Sequence, residues 1–180
     1  MEVADVLVLG AEVSVTFAGF SGIVAAFQFR DGSRVKRGDV VGLTMIVQQS
    51  LSCAFFSAFP LLLFSFDINE STVWMIASIT GAILLPAQMF SIDKNMRGAV
   101  KKRSLILFFG TLQGFFALFV IANILNAADL VFHREPGPYI AAIFAGLGLV
   151  GYMFGRLLLR PLWKSVHHNE KATGEQVEAN

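Results

Sequence analysis

The chain has 180 residues, of which 55% are hydrophobic and only 15% are charged, and its formal net charge is +1. This composition is too apolar for an ordinary soluble domain. The net charge argues neither for nor against nucleic acid, which is not an expected partner. The sequence predicts an all-α, polytopic membrane protein, because backbone amides in lipid must be bonded within their own segment.

Five apolar segments are each long enough to cross a hydrocarbon core of about 30 Å as a helix. The predicted crossings are about residues 6–27, 40–66, 71–92, 104–128 and 138–159. Residues 1–164 form the predicted transmembrane domain, and the polar residues 165–180 are expected to be a disordered cytoplasmic tail. In the third crossing, Pro86 cannot donate a backbone hydrogen bond and is expected to bend the helix.

The positions of the lysine and arginine residues predict the orientation of these crossings. Thirteen of the fourteen lie in three clusters between or after the apolar segments, namely Arg30, Arg34, Lys36 and Arg37; Lys94, Arg97, Lys101, Lys102 and Arg103; and Arg156, Arg160, Lys164 and Lys171. If all three face the cytoplasm, the positive-inside rule places the N-terminus outside and the C-terminus in the cytoplasm. The same clusters are expected to contact anionic lipid headgroups.

The first crossing carries two unusual features. It contains Glu12, the one ionisable group clearly inside an apolar span, and such groups usually face a protein interior or a water-filled cavity. It also has small residues at every fourth position, a pattern typical of close helix packing. This helix-packing stripe consists of Gly10, Ser14, Ala18, Gly22 and Ala26.

Uncharged polar side chains recur at two depths in the other crossings. Asn123 lies at about the depth of Glu12, and the two are expected to form an outer polar layer, with Ser57 and Ser78 at nearby levels. A deeper layer of amides comes from three helices and contains Gln48, Gln49, Gln88 and Gln113. Two interpretations remain open: the amides are hydrogen-bonded glue between helices, or they line a path for an ion or small solute.

Catalytic, cofactor and metal chemistry are not predicted. Cys53 is the only cysteine, and the three histidines, at 133, 167 and 168, have no partner at metal-ligand spacing. The sequence has no phosphate-binding loop, no nucleophile elbow and no zinc-protease motif. We therefore expect a protein that is not an enzyme and that has no cofactor.

Two stretches carry a resemblance to known proteins. The first is LGAEVSVTFAGFSGIVAAFQFRDGS, at the start of the chain, and the second is QQSLSCAFFSAFPLLL, in the second crossing. Together they resemble a group of small bacterial inner-membrane proteins in which an acidic residue precedes an Ala-Gly-Phe turn of the first helix. The resemblance covers mainly residues 9–66. It implies a location in the bacterial cytoplasmic membrane and a signature cluster of Glu12, Ala18, Gly19, Phe20 and Gly22.

Two classes of function follow from these observations. In the first, the protein is a non-catalytic packing or interaction module that binds further copies of itself or a membrane-protein partner. In the second, it is a small oligomeric channel or transporter that uses Glu12 and the glutamine layer. The lack of a visible internal repeat weakens the transporter version, because many carriers have one.

Overall fold

A computed structural model gives the protein five helices. The structure describes the backbone of residues 2–30, 37–96 and 103–178, and the side chains of residues 2–27, 40–91 and 113–159. The helices are α1, Val3–Arg30; α2, Arg37–Phe64; α3, Glu70–Met96; α4, Arg103–Ala127; and α5, Gly137–Glu178. The connecting segments 31–36 and 97–102, with the basic residues in them, lie outside the described residues.

Four of the helices are long and apolar enough to cross a membrane. Their spanning parts are Val3–Phe27, Val40–Phe64, Glu70–Ser91 and Gly137–Leu159. Within α4, the part with described side chains is the shorter apolar stretch Gln113–Ala127. Large apolar side chains are exposed on every helix, including Phe27, Leu62, Phe90, Leu118 and Leu159. An apolar surface that surrounds the whole bundle is what contact with lipid requires.

The last helix extends further than the sequence predicts. Its predicted end was near Leu159, followed by a disordered tail at 165–180, whereas the helical backbone of α5 continues to Glu178. Lys171, Ala172 and Gln176 have high helix propensity, so the polar composition of the tail does not oppose a helix. At about 1.5 Å per residue, the segment after Leu159 adds nearly 30 Å to the helix.

Side-chain and backbone hydrogen bonds define the helix ends on the side of the bundle where α3 and α5 begin. Asn69 is the N-cap of α3, because its Oδ1 accepts a hydrogen bond from the Ser71 backbone N–H at 3.0 Å. At the end of α4, the Leu130 N–H donates to Leu125 O and the Asp129 N–H donates to Asn126 O. Asp129 has a φ of 60°, so the α4 end is a Schellman motif with aspartate at the position where glycine is usual.

Helices α2 and α5 form the centre of the bundle. α2 packs against α1, α3 and α5, and α5 packs against all four other helices. Trp74, Phe56 and Tyr139 are buried where α2, α3 and α5 meet, and the ring centroids of Trp74 and Tyr139 are 6.3 Å apart. α1 packs along α2 and α5 on one side of this core, so one long face of α1 is left uncovered.

Candidate functional site

Glu12 lies on the uncovered face of α1. The buried positions of this helix are Leu7, Gly10, Ser14 and Ser21, and Glu12 is exposed. At 100° per residue, Glu12 and Ser21 are about 180° apart around the helix axis. The carboxylate therefore points directly away from the bundle, toward the surroundings of the protein.

The exposed face around Glu12 combines small and apolar residues. Thr16, Gly19 and Ile23 follow Glu12 along the same side of the helix, and all three are exposed. The Thr16 hydroxyl donates to the Glu12 backbone carbonyl at 2.8 Å, so this hydroxyl is satisfied within α1. A Cβ added at Gly19 would meet no atom within 4 Å. This surface of α1 is hereafter the Glu12 face, defined by Glu12, Thr16, Gly19 and Ile23.

The predicted small-residue stripe of α1 is divided between two environments. Gly10 and Ser14 are buried, and a Cβ on Gly10 would lie 2.7 Å from Ser57 Oγ of α2. Ala18 is half-buried, whereas Gly22 and Ala26 are exposed. A spacing of four residues drifts by about 40° per step around a helix, so a long stripe cannot stay on one contact. The small residues of α1 that are buried are instead Gly10, Ser14 and Ser21, which mark the seam where α1 packs on the bundle.

The glutamine layer is brought together only in part. Gln88 Nε2 of α3 donates to Gln49 Oε1 of α2 at 2.8 Å. Gln49 is buried, Gln88 is half-buried and Gln113 is exposed on α4. The Gln49–Gln88 bond links two helices in the way that the glue interpretation expects, and Gln113 lies apart from it.

A mostly apolar groove that also carries amide side chains opens on the outside of the bundle between α2 and α3. It has a volume of about 430 Å³ and is lined by Gln48, Ser52, Phe55 and Gln88, among others. The Ser52 hydroxyl donates to Gln48 O at 2.9 Å, so the polar character of the groove comes mainly from the two amide side chains. Glu12 is on α1 and does not line this groove.

The two residues of the predicted outer polar layer lie in different environments: Asn123 is inside the bundle, and Glu12 is on its surface. Asn123 is fully buried inside the bundle, and its Nδ2 donates to Phe119 O at 2.8 Å. Among the described residues, its Oδ1 has no hydrogen-bond partner. Ser78 is also buried, whereas Glu12 is exposed, so no single site contains Glu12 and Asn123.

Asn126 is an important buried polar residue whose role the sequence pattern does not predict. Its Nδ2 donates to Ser78 Oγ at 2.8 Å and to Glu135 O at 2.9 Å, and its Oδ1 accepts from the Glu135 N–H at 3.1 Å. One buried amide thus joins α4, α3 and the loop before α5. The signal available in the sequence was its place one turn after Asn123 and close to the helix end.

Metal-binding side chains do not cluster in the described part of the chain. No group of three histidine, cysteine, aspartate or glutamate side chains in the described part of the chain could hold a metal ion. Cys53 is a buried free thiol, and its Sγ lies 3.8 Å from Gln49 Nε2 and 3.9 Å from Ile143 O. His167 and His168 lie outside the residues with described side chains.

Comparison with known proteins gives no family for the chain: no protein-family model, curated protein or solved structure matches it. The resemblance to small bacterial inner-membrane proteins therefore stays a prediction.

Proposed function

We propose that the protein is a non-catalytic interaction module of the membrane, which presents the Glu12 face of α1 to a transmembrane helix of a different protein. The partner helix carries a lysine or arginine at the depth of Glu12. The bundle of α2 to α5 serves as the scaffold that holds α1 in place. One observation carries this proposal: the carboxylate of a spanning helix is exposed and points away from its own bundle.

The position of Glu12 makes its exposure costly. The spanning part of α1 is Val3–Phe27, whose middle residue is Val15, so Glu12 lies about 5 Å from the middle of the span. A charged side chain at that depth costs about 2.5–3.5 kcal/mol on insertion scales. A glutamate side chain is too short to reach the headgroups from there. A cationic partner in the membrane would offset this cost.

The rest of the Glu12 face supports helix docking. Gly19 leaves open space where a side chain would otherwise stand, and Thr16 is small. Small residues let two backbones approach closely, and close packing is the main attraction between helices in lipid. The partner's cation would meet Glu12, while its backbone would approach α1 at Gly19.

The charge pattern favours a different protein, and not a second copy of this chain, as the partner of the Glu12 face. Every lysine and arginine of the chain lies in the three basic clusters or at Arg134, so the chain has no cation near the middle of a span. A symmetric contact between two copies through this face would place Glu12 against Glu12, and like charges repel. A partner with its own basic residue avoids this conflict.

The proposal includes an orientation and a location. The three basic clusters support an N-terminus outside and a C-terminus in the cytoplasm, and the resemblance of residues 9–66 supports the bacterial cytoplasmic membrane. The extended C-terminal part of α5 then projects into the cytoplasm, and the basic loops contact anionic lipids.

Site-specific photo-crosslinking in the native membrane tests the proposal. A photo-reactive amino acid replaces Ile23, which is 52% exposed on the Glu12 face, and in a control chain it replaces Ile83, which is 63% exposed on α3. We expect position 23 to crosslink one membrane protein that has a basic residue in a spanning helix. Glu12→Gln is expected to lower the yield about tenfold or more, because a charge pair then loses one member.

A charge exchange separates a specific contact from simple proximity. Glu12→Lys in this chain, combined with the partner's basic residue changed to glutamate, should restore the crosslink that either single change removes. Equal yields from positions 23 and 83, a crosslink to a second copy of this chain, or a partner without a basic spanning residue would each contradict the proposal.

The groove between α2 and α3 supports a second candidate, an oligomeric channel for an ion or small solute. Its amides, Gln48 and Gln88, could replace part of the hydration of a solute if several copies placed this groove around a symmetry axis. Flux into liposomes tests this candidate with the matched pair Gln48→Leu and Gln113→Leu. The channel predicts that only Gln48→Leu abolishes the flux, and absence of flux from the unmodified oligomer would contradict it.

A further inference from the structure

A small cavity lies inside the bundle, between α2, α3, α4 and α5. Its walls include Gln49 and Cys53 of α2, Gly81 of α3, Asn123 of α4 and Tyr139 of α5. It leaves about 10 Å³ for the centre of a water molecule. A cavity needs about 10–15 Å³ by this measure to hold one water, so this cavity matches a single water.

Asn123 supplies an acceptor to the cavity. The residue is fully buried, and its amide nitrogen is bonded to Phe119 O, which leaves Oδ1 without a partner among the described residues. A Cβ added at Gly81 would lie 3.4 Å from Oδ1, so this oxygen faces the space next to the glycine. A buried amide oxygen without a donor is costly, and this one is close to the middle of the protein.

Gln49 supplies a donor to the same cavity. Its Oε1 accepts the hydrogen bond from Gln88 Nε2, which fixes the orientation of the amide. Its Nε2 has two hydrogens, and the 3.8 Å contact with Cys53 Sγ uses at most one of them. Gln49 lines the cavity, so the site proposed below assigns the second N–H to it.

We propose that this cavity is a binding site for one structural water, which donates to Asn123 Oδ1 and accepts from Gln49 Nε2. The water extends the Gln88–Gln49 pair to α4, so that a continuous polar link joins three helices through the interior. This inference is independent of the Glu12 face: it assigns a buried ligand to the scaffold, whichever partner α1 binds.

A structure at about 2 Å resolution or better tests the proposal directly. We expect a water peak within about 3.2 Å of both Asn123 Oδ1 and Gln49 Nε2. A map without such a peak, in which ordered waters are visible at other buried sites, would overturn the proposal.

Gly81→Ala tests the same site by stability, with Gly114→Ala as the matched control. The new methyl at position 81 would take the water's space while lying in ordinary contact with Asn123 Oδ1 and with Tyr139 Cε2, at 3.4 and 3.5 Å. A Cβ at Gly114 meets no atom within 4 Å. Displacing the water leaves Oδ1 unsatisfied, so we expect the unfolding midpoint of Gly81→Ala in detergent to fall by about 3 °C or more.

The sign of the change decides between a hydrated and a dry cavity. In a dry cavity the methyl would add contacts, and alanine has the higher helix propensity, so Gly81→Ala would equal or exceed the unmodified protein in midpoint, as Gly114→Ala is expected to do. That result would contradict the proposal. Loss of the water peak in the Gly81→Ala structure, together with the lower midpoint, would support it.

Discussion

The Tyr139 hydroxyl donates a hydrogen bond to the Phe56 backbone carbonyl at 2.9 Å. Phe56 lies four residues before Pro60, inside α2, and proline has no N–H to give to that carbonyl. A side chain from α5 therefore replaces the hydrogen bond that α2 lacks. The interaction explains how a proline is tolerated in the interior of α2, a helix long and apolar enough to cross a membrane, where an unbonded carbonyl would be costly.

The first prediction concerns this pair. Tyr139→Phe should lower the free energy of unfolding by about 1 kcal/mol, because the Phe56 carbonyl loses its donor. In a Pro60→Ala chain the alanine N–H can bond to the carbonyl, so the same tyrosine change should cost less. Unfolding in detergent of the four chains of this double-mutant cycle measures the difference, and equal costs in the two backgrounds would contradict the interpretation.

The second prediction concerns Asn126. Asn126→Ala should lower the free energy of unfolding by about 1–3 kcal/mol, because Ser78 and the Glu135 backbone lose their partners. Asn126→Asp keeps the size of the side chain but places a carboxylate against Glu135 O, so it should be at least as harmful. Limited proteolysis in the loop 128–136 gives a local readout. An unchanged cleavage rate in both variants would show that the amide does not hold the loop.

The third prediction separates two glycines of α5. A Cβ at Gly146 would lie 2.8 Å from Cys53 Sγ and 3.1 Å from Gln49 Nε2, whereas a Cβ at Gly148 would meet nothing within 4 Å. Gly146→Ala should therefore cost about 1–3 kcal/mol of stability, since α2 and α5 must move apart. Gly148→Ala should be neutral or stabilising. Thermal unfolding compares the two variants, and a Gly146→Ala protein as stable as the Gly148→Ala protein would refute this packing.

The fourth prediction divides the small-residue stripe of α1. Gly10→Ala should destabilise the isolated protein, because its methyl would lie 2.7 Å from Ser57 Oγ. Gly22→Ala should leave the unfolding midpoint unchanged or raise it, because nothing lies within 4 Å of the added atom and alanine has the higher helix propensity. The same thermal assay applies. If the two substitutions had equal effects, the seam between α1 and α2 would not lie where the structure places it.

The sequence predicts where these helices begin and end much better than it predicts which face of each helix is buried. The apolar runs locate all five helices, with the starts and most ends within about three residues, because the length of a span is set by the bilayer. The apolar pattern does not predict which side of a helix faces the core, because the core and the lipid are equally apolar. For this reason the sequence could place Glu12 within an apolar helix, but it could not predict that Glu12 is exposed on the uncovered face of that helix.

The contacts of the polar side chains could be predicted only in part. The Gln49–Gln88 bond agrees with the expectation that amides on different helices pair, because an amide in lipid needs a partner. Asn126 was missed because a residue so close to a helix end can bond to loop or solvent as readily as to another helix. The place of Pro60 inside α2 could not be predicted for a different reason. Nothing in the sequence shows that Tyr139 of α5 supplies a donor to Phe56 O.

The central claim is that Glu12 serves a partner and not the fold of its own chain. Native gel electrophoresis after mild extraction from the natural membrane tests it most directly, by comparing the unmodified chain with Glu12→Leu. We expect the unmodified chain to migrate in a larger complex and the Glu12→Leu chain to migrate alone, while remaining folded. Migration of both chains in the same complex would contradict the claim.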